Sequence, residues 1–189
     1  MKIIPASRPQ IKRDEAEKLI VFTPLSGVVL IGVRGYYLDS MGAAGKNDRG
    51  IYDDAMIVLS DKVFETFNFN TDPSVARAGI AVLKPGAWSY KIGIHGYNKP
   101  PELRYEALVQ AGKVTVARDN QADDTGYFGI NIHRGSARTT SSLGCQTIYP
   151  AQWGEFVDLV KEEMHNHDQT KIVYNLITEE TRRERNETH

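Results

Sequence analysis

The residues best suited to chemistry are Cys145, the only cysteine in the chain, and His133, which lies upstream of it. A single thiol cannot form a disulfide within the chain, so Cys145 is either a small buried apolar residue or a reactive nucleophile. A neighbouring imidazole can accept the thiol proton and later return it to a leaving amine. The residue types favour a nucleophile and its base. A buried structural cysteine beside a hydrogen-bonded histidine stays open, because free cysteines are often buried.

The loop before the cysteine predicts an oxyanion site. Small residues precede Cys145 in the run Ser141-Ser142-Leu143-Gly144. Gly144 permits a backbone conformation in which adjacent amide N–H groups face a developing oxyanion. Ser141 and Ser142 could donate to that oxyanion or to substrate, or could fix the loop by local hydrogen bonds.

Four further residues are candidates for substrate binding. Arg134 and Arg138 flank the proposed site, and the planar guanidinium group suits carboxylate recognition; the alternative is two solvated loop charges. His95 ends an alternating strand pattern, so it is a rival base or a lining residue of the cleft. Tyr97 could form a wall of the same groove.

The sequence predicts no metal and no cofactor. The acidic stretch 123–126 lacks the oxygen-ligand spacing of a calcium-binding loop and is typical of a turn. His165 and His167, near a helix end, have no cysteine or acidic residue at ligand spacing.

Strand patterns dominate the elements that must position these residues. Strands at 55–60 and 63–69 flank a two-residue turn, as in a hairpin, and residues 88–94 alternate in polarity as a half-buried strand does. Apolar residues at i, i+3, i+4, i+7 and i+11 from Trp153 predict a helix that begins after Pro150. Further elements are expected as strands at 19–23, 28–34, 80–83, 114–117, 128–132 and 171–177, a short helix at 105–111, turn residues at 68–72, and a charged tail at 178–189 that is frayed or a solvated helix.

These strand patterns indicate a mainly β, β-rich α+β fold, and the chain length fits a single domain spanning residues 1–189. The chain is 41% hydrophobic and 25% charged, an ordinary balance for a globular protein. Its formal net charge of -1 argues against a general nucleic-acid binder. The apolar run 28–33 is too short to cross a bilayer, and Pro5 follows the first residues without an apolar signal region. We therefore expect synthesis in the cytoplasm and no membrane insertion.

Residues His133 to Cys145 resemble the signature of the L,D-transpeptidase (YkuD-like) family, in which a histidine and a small-residue loop precede Ser-x-Gly-Cys. Here that last element is Ser142-Leu143-Gly144-Cys145. The segment 83–90, with its Pro85-Gly86 turn, is similar to that family's strand entry. The likeness runs in order through residues 50–160. The residues immediately around His133 and Cys145 are most similar to those of small phage-encoded members.

The resemblance implies a β-sandwich with a few peripheral helices and a cysteine enzyme acting on peptidoglycan stem peptides. Cys145 would form a thioester, with His133 as base oriented by a backbone carbonyl near it. Transpeptidase, carboxypeptidase and endopeptidase outcomes all stay open. Action on the cell wall would follow phage lysis or another route without a signal peptide.

Departures from the family pattern keep other functions open. Arg134 replaces a frequent glycine, Leu143 a frequent His or Lys, and Gln146-Thr147 an apolar residue followed by Arg or Asn. These changes affect groups that would hold substrate carboxylates. The main alternative is a non-catalytic wall-binding or virion structural module on the same fold. A papain-like protease fits less well, because the histidine precedes the cysteine and no Cys-Trp element lies near the N-terminus.

Overall fold

The computed structural model describes residues 2–20 and 27–187, and this part of the chain is mainly β with a few helices. The prediction of a β-rich α+β fold is confirmed. The strands are β1 (Val29–Arg34), β2 (Asp54–Leu59), β3 (Phe64–Asn70), β4 (Ala81–Leu83), β5 (Gly86–His95), β6 (Tyr105–Gln110), β7 (Val114–Arg118), β8 (Gln121–Gly126), β9 (Ile132–Arg134), β10 (Gln146–Ile148) and β11 (Ile172–Thr178). The helices are α1 (Arg13–Glu17), α2 (Trp153–Asn166) and α3 (Glu179–Glu187).

Eight strands form one closed sheet, in the order β1-β11-β5-β6-β9-β10-β3-β2. Strands β4, β7 and β8 form a separate three-stranded sheet. The β-sandwich that the resemblance implies is not the arrangement found, because the main sheet closes on itself and the other three strands form a sheet of their own. The predicted hairpin is confirmed, because β2 and β3 pair antiparallel from Asp54 opposite Phe69 to Leu59 opposite Phe64.

Strands β1 and β2 are buried on both faces, because side chains alternate between two apolar clusters. Leu30 and Met56 belong to the larger cluster, which also includes the apolar face of α2 and residues of β4 and β7. Ile31 and Ile57 belong to a smaller cluster with residues of the N-terminal segment and α1. This double burial explains why both strands are nearly continuous runs of apolar residues.

Helix α2 forms as its apolar stripe predicts. Trp153, Phe156, Val160 and Met164 are all buried in the larger cluster. Phe156 packs edge-on against Phe67 of β3, with ring centroids 5.3 Å apart. A 3-10 turn at Pro150–Gln152 leads into the helix, as the position of Pro150 indicates.

The strand register brings the chemically active segments together. In the β5–β6 pair His95 lies opposite Tyr105, and in the β9–β10 pair His133 lies opposite Thr147. A single pair, Leu108 opposite Ile132, links β6 to β9. Residues 95, 105, 133 and 145 therefore meet at one end of these four strands.

The predicted helix at 105–111 is wrong. Residues Tyr105–Gln110 form β6, which pairs along its whole length with β5. Glu, Ala, Leu and Gln are good helix formers, but strand pairing and burial of Ala107 and Leu108 override that local preference.

Two other predictions need correction. Only Ile132 of the predicted strand 128–132 is in a strand, because the N–H groups of Phe128 and Ile130 donate to the Gln110 side chain rather than to a neighbouring strand. The acidic stretch 123–126 belongs to β8. The turn lies just before that strand, at Asn120, whose φ is +60°.

The predicted turn at 68–72 also begins later than expected, because Asn68 and Asn70 belong to β3. The predicted strands 80–83, 88–94, 114–117 and 171–177 are confirmed as β4, β5, β7 and β11. The predicted strand 28–34 is confirmed as β1. Of the predicted strand 19–23, Leu19 lies in a turn, and residues 21–26, which include the turn expected to join the two strands as a hairpin, lie outside the described residues.

The charged tail forms helix α3, which is held against the fold. Glu179 is buried and accepts hydrogen bonds from Arg182 and Arg183. Arg182 also pairs with Glu15 of α1, so the first and last helices are joined. Within the described residues, none of the helices has the length and apolar character needed to span a bilayer.

Candidate active site

Cys145 and His133 line one surface cavity of about 440 Å³, as the sequence predicts for a nucleophile and its base. His95, Arg134 and Ser141 also line it, and these are three of the predicted substrate-binding residues. The remaining lining residues are Lys99, Leu103, Tyr105, Gly135 and Leu143.

The orientation of His133 is set by its own strand. His133 is only 5% exposed, and its Nδ1 lies 2.8 Å from the backbone carbonyl oxygen of Arg134. A carbonyl oxygen can only accept, so Nδ1 carries the proton and Nε2 is left with its lone pair. The hydroxyl of Tyr105 lies 3.3 Å from the same Nδ1 and donates to the Arg134 carbonyl at 3.4 Å. Nε2 is therefore the basic atom of His133.

Burial and a second imidazole keep His133 neutral. Its pKa is lowered to about 4, first by burial and then by His95. The two imidazole rings stack with centroids 4.0 Å apart and an angle of 21° between their planes. At neutral pH, His133 can therefore accept a proton but holds none at Nε2.

Cys145 is half-buried and protonated at neutral pH. Its Sγ donates to the backbone carbonyl oxygen of Gly129 at 3.3 Å. Burial raises the pKa of the thiol, while a backbone hydrogen bond from Asn131 and the charge of Lys99 oppose that rise. The resting pair is thus a thiol beside a neutral imidazole, rather than a thiolate beside an imidazolium.

Ser142 fixes the loop before Cys145. Its Oγ donates to the Cys145 carbonyl oxygen at 2.6 Å and accepts from the Gly144 N–H at 3.0 Å, and the side chain is buried. The Ser142 N–H donates to the Ser74 hydroxyl at 2.8 Å. The prediction that Ser142 acts on the oxyanion is therefore corrected, because its hydroxyl is already used to hold the loop.

Gly144 is required by this loop but does not supply the predicted oxyanion donor. Its φ is +132°, and a Cβ on it would lie 2.8 Å from the Ala81 carbonyl oxygen. Its N–H is used by Ser142. Among residues 2–20 and 27–187, no hydrogen bond uses the Cys145 N–H, which remains a free backbone donor.

The residues after the cysteine are structural. Gln146 and Thr147 are buried in β10. The Gln146 amide donates to the Thr71 carbonyl oxygen at 3.0 Å and accepts from the Tyr174 hydroxyl at 3.1 Å. Neither residue lines the cavity.

The cavity wall is cationic. Arg134 is exposed, and its guanidinium lies 5.1 Å from the ring centre of Tyr105. Lys99 is exposed at the turn after β5. Neither cation forms an ion pair within the described residues, and no acidic side chain lines the cavity. This wall suits a substrate that carries carboxylates.

Tyr97 and Arg138 do not line the cavity, which corrects two predicted substrate contacts. Tyr97 is 75% exposed and packs beside the guanidinium of Arg104. Arg138 is exposed on the loop that follows Arg134, held there by a hydrogen bond from its N–H to Ser136. Both lie between lining residues in the sequence but outside the cavity wall.

The sequence analysis missed Lys99, Leu103 and Tyr105 as lining residues. Tyr105 was assigned to a helix, so its place opposite His95 was lost. Extending the alternation of β5 into an antiparallel partner would have placed it correctly. Lys99 and Leu103 lie in the connection between β5 and β6, and no local pattern marks them.

Two observations bear on metals and on relatedness. Among the described residues, no group of three or more His, Cys, Asp or Glu side chains is arranged to hold a metal ion. Comparisons of the chain with family models, with curated proteins and with solved structures give no match.

Proposed function

We propose that this protein is a cysteine-dependent acyltransferase or peptidase that acts on peptidoglycan stem peptides, in the manner of L,D-transpeptidases. The observation that carries the proposal is the shared cavity of Cys145 and His133, with the His133 Nδ1–H bonded to the Arg134 carbonyl. That bond leaves the lone pair of Nε2 free to accept a proton. The Ser-x-Gly-Cys loop and the His strand supply the resemblance that names the substrate class.

The proposed reaction is acyl transfer in two stages. The Cys145 thiol gives its proton to His133 Nε2 as sulfur attacks the carbonyl carbon of the diamino acid. The tetrahedral intermediate collapses, the C–N bond breaks, and the leaving amine takes the proton from His133. A thioester remains on Cys145. An amine acceptor then gives a cross-link or an exchange, and water gives a shortened stem.

The cationic wall supports this substrate class. Stem peptides carry carboxylates near the scissile bond, and Arg134 and Lys99 both line the cavity without an ion-pair partner among the described residues. Gln146 and Thr147 are unavailable because they are buried. Arg134 is the better suited of the two for a bidentate carboxylate contact, because its guanidinium, which lies 5.1 Å from the Tyr105 ring centre, offers a planar pair of N–H donors.

Muropeptides test the proposal directly. Wild-type protein incubated with tetrapeptide and cross-linked muropeptides is expected to release D-alanine or change stem length, as measured by mass spectrometry. Cys145→Ala should abolish this, and a carbapenem should add to Cys145 in the intact mass. Folded wild-type protein that leaves every muropeptide mass unchanged would contradict the proposal.

A second candidate is a non-catalytic wall-binding or virion structural module on the same fold. The observation that favours it is the protonated resting thiol, which is bonded to the Gly129 carbonyl and has a raised pKa. Cys145→Ser keeps a donor for that carbonyl. Unchanged wall binding by this variant, with no thiol-dependent turnover in wild type, would select the module over the enzyme.

A further inference from the structure

The cavity contains two stacked imidazoles, and the mechanism above uses only one. His95 ends β5, and His133 lies in β9, with the rings nearly parallel at 4.0 Å. Both line the cavity with Cys145. Two histidines in such contact can share one role or have different roles, and their hydrogen-bond partners decide which.

The tautomer of His95 is fixed by Asn131. The backbone N–H of Gln110 donates to Asn131 Oδ1 at 3.2 Å, which identifies the oxygen end of that amide. The other end is therefore the NH₂ group, which lies 3.3 Å from His95 Nδ1. Because an amide NH₂ can only donate, Nδ1 of His95 accepts. The proton of neutral His95 is thus on Nε2.

The two rings therefore carry opposite tautomers. His133 has its proton on Nδ1 and a lone pair on Nε2, whereas His95 has a lone pair on Nδ1 and its proton on Nε2. One imidazole is arranged to take a proton. The other is arranged to donate a hydrogen bond but not a proton. Imidazole gives up a proton readily only in its doubly protonated form, and a proton on Nδ1 would face the Asn131 NH₂ group.

We propose that His95 is a second catalytic residue, whose Nε2–H donates a hydrogen bond to the carbonyl oxygen of the acyl group attacked by Cys145. This inference rests on the proposed function. As sulfur adds to the carbonyl carbon, the C=O bond becomes a C–O⁻ bond, and the His95 donor stabilises that charge. No proton leaves His95 in the step.

The loop before Cys145 lacks free donors for an oxyanion, which is why a donor from His95 is needed. The Gly144 N–H donates to Ser142, and the Ser142 hydroxyl donates to the Cys145 carbonyl. Two of the groups that the sequence indicates for the oxyanion are thus already in use. The Cys145 N–H is left as a backbone donor, and one donor alone makes a weak oxyanion site. His95 supplies the second.

Two variants separate the donor from the ring stack. His95→Phe keeps an aromatic ring against His133 but has no N–H. His95→Gln loses the ring but keeps an amide N–H donor on a side chain that reaches about as far as Nε2. His165→Gln changes an exposed histidine of α2 outside the cavity and is the matched control.

Two reactions of the same thiol separate the proposed role from thiol activation. Transfer of the acetyl group of p-nitrophenyl acetate to Cys145 passes through an oxyanion, whereas alkylation by iodoacetamide does not. We expect His95→Phe to slow acetyl transfer by about 10²-fold and alkylation by less than about threefold. His95→Gln should recover at least about tenfold of the lost acetyl transfer.

Each other outcome is decisive. Parallel losses of acetyl transfer and alkylation in His95→Phe would make His95 a thiol activator and overturn the inference alone, as would acetyl transfer equal to wild type. Wild type that alkylates but neither accepts acetyl nor changes muropeptides contradicts the proposed function, and the inference with it. If His95→Phe does not fold, ¹⁵N shifts of wild-type His95 give the tautomer directly, and a proton on Nδ1 overturns the inference.

Discussion

The proton of the Cys145–His133 pair rests on sulfur. Burial opposes charge on both partners, raising the pKa of the thiol and lowering that of His133 to about 4. Lys99 acts on both in a consistent way, because its positive charge favours thiolate over thiol and neutral imidazole over imidazolium. In the proposed reaction, the thiolate therefore forms only as sulfur attacks, by transfer of its proton to Nε2.

This resting state predicts an unusual pH profile for thiol alkylation. The iodoacetamide rate of wild type should be low at pH 7 and should still be rising at pH 9, because the thiol pKa is above its ordinary value. Rates measured from pH 6 to 10 test this, with free cysteine as reference. A plateau already reached at pH 7 would show a thiolate–imidazolium pair and contradict the prediction.

Residue types alone identified the nucleophile and base candidates, but not the donors around them. The family-like run His133 to Cys145 gave Cys145, His133 and Arg134, and the alternation of β5 gave His95; all four line the cavity. The sequence could not decide between the two roles open to Ser142 and Gly144. The Ser142 hydroxyl and the Gly144 N–H could bond either to the loop or to an oxyanion. That choice is made by the fold of the loop.

At the scale of elements, the sequence predicted the strands that are apolar on both faces and the elements whose apolar residues recur with a clear period. Helix α2, β1 and the β2–β3 hairpin follow from hydrophobic patterns alone. Strand β6 was missed because its residues favour a helix locally. Pairing with β5 makes them a strand, and a local sequence pattern does not contain that pairing. The same error hid Tyr105, which orients the base.

Two glycines in regular elements should respond oppositely to alanine. In β1, a Cβ on Gly32 would lie 2.3 Å from the Tyr174 hydroxyl oxygen, so Gly32→Ala should destabilise by about 2 kcal/mol or more. In α2, a Cβ on Gly154 would meet nothing within 4 Å, so Gly154→Ala should stabilise by about 0.5 kcal/mol through helix propensity. Urea unfolding of both variants measures the difference.

The test is whether the free energy of unfolding falls in Gly32→Ala and rises in Gly154→Ala. Because the substitution is the same, differences in unfolded-state entropy are shared by the two variants. Equal effects on the free energy of unfolding would show that the close packing of β1 against Tyr174 does not control stability.

At the scale of the whole molecule, stability should depend on buried carboxyls beside β2. Asp53 and Asp54 are buried, and burial followed by mutual repulsion raises the pKa of Asp53 to about 9. Burial likewise raises the pKa of Asp54, although the N–H groups of Gly35 and Thr71 donate to its carboxylate and oppose the rise. The folded protein therefore binds protons that the unfolded chain releases near pH 4.

The sign follows from linkage. A carboxyl whose folded pKa is raised stabilises the fold below its unfolded pKa, and that stability is lost as pH rises toward the folded value. The free energy of unfolding should therefore fall between pH 5 and pH 9, by at least about 1 kcal/mol. Asp53→Asn keeps an oxygen for the Asp48 N–H and should flatten the profile. Urea melts across this range check both, and an unchanged slope in the variant would contradict the assignment.

The first strand of the closed sheet pairs with the last. Strand β1 lies between β2, its neighbour in sequence, and β11, which follows it by more than a hundred residues. During synthesis on a ribosome, β1 can meet β2 early but must wait for nearly the whole chain before β11 exists. Until then one edge of β1 and one edge of β5 are open to pairing with other chains. Helix α3 follows β11 and pairs with α1 through Arg182 and Glu15, so the open edges of β1 and β5 are covered only when synthesis is nearly finished.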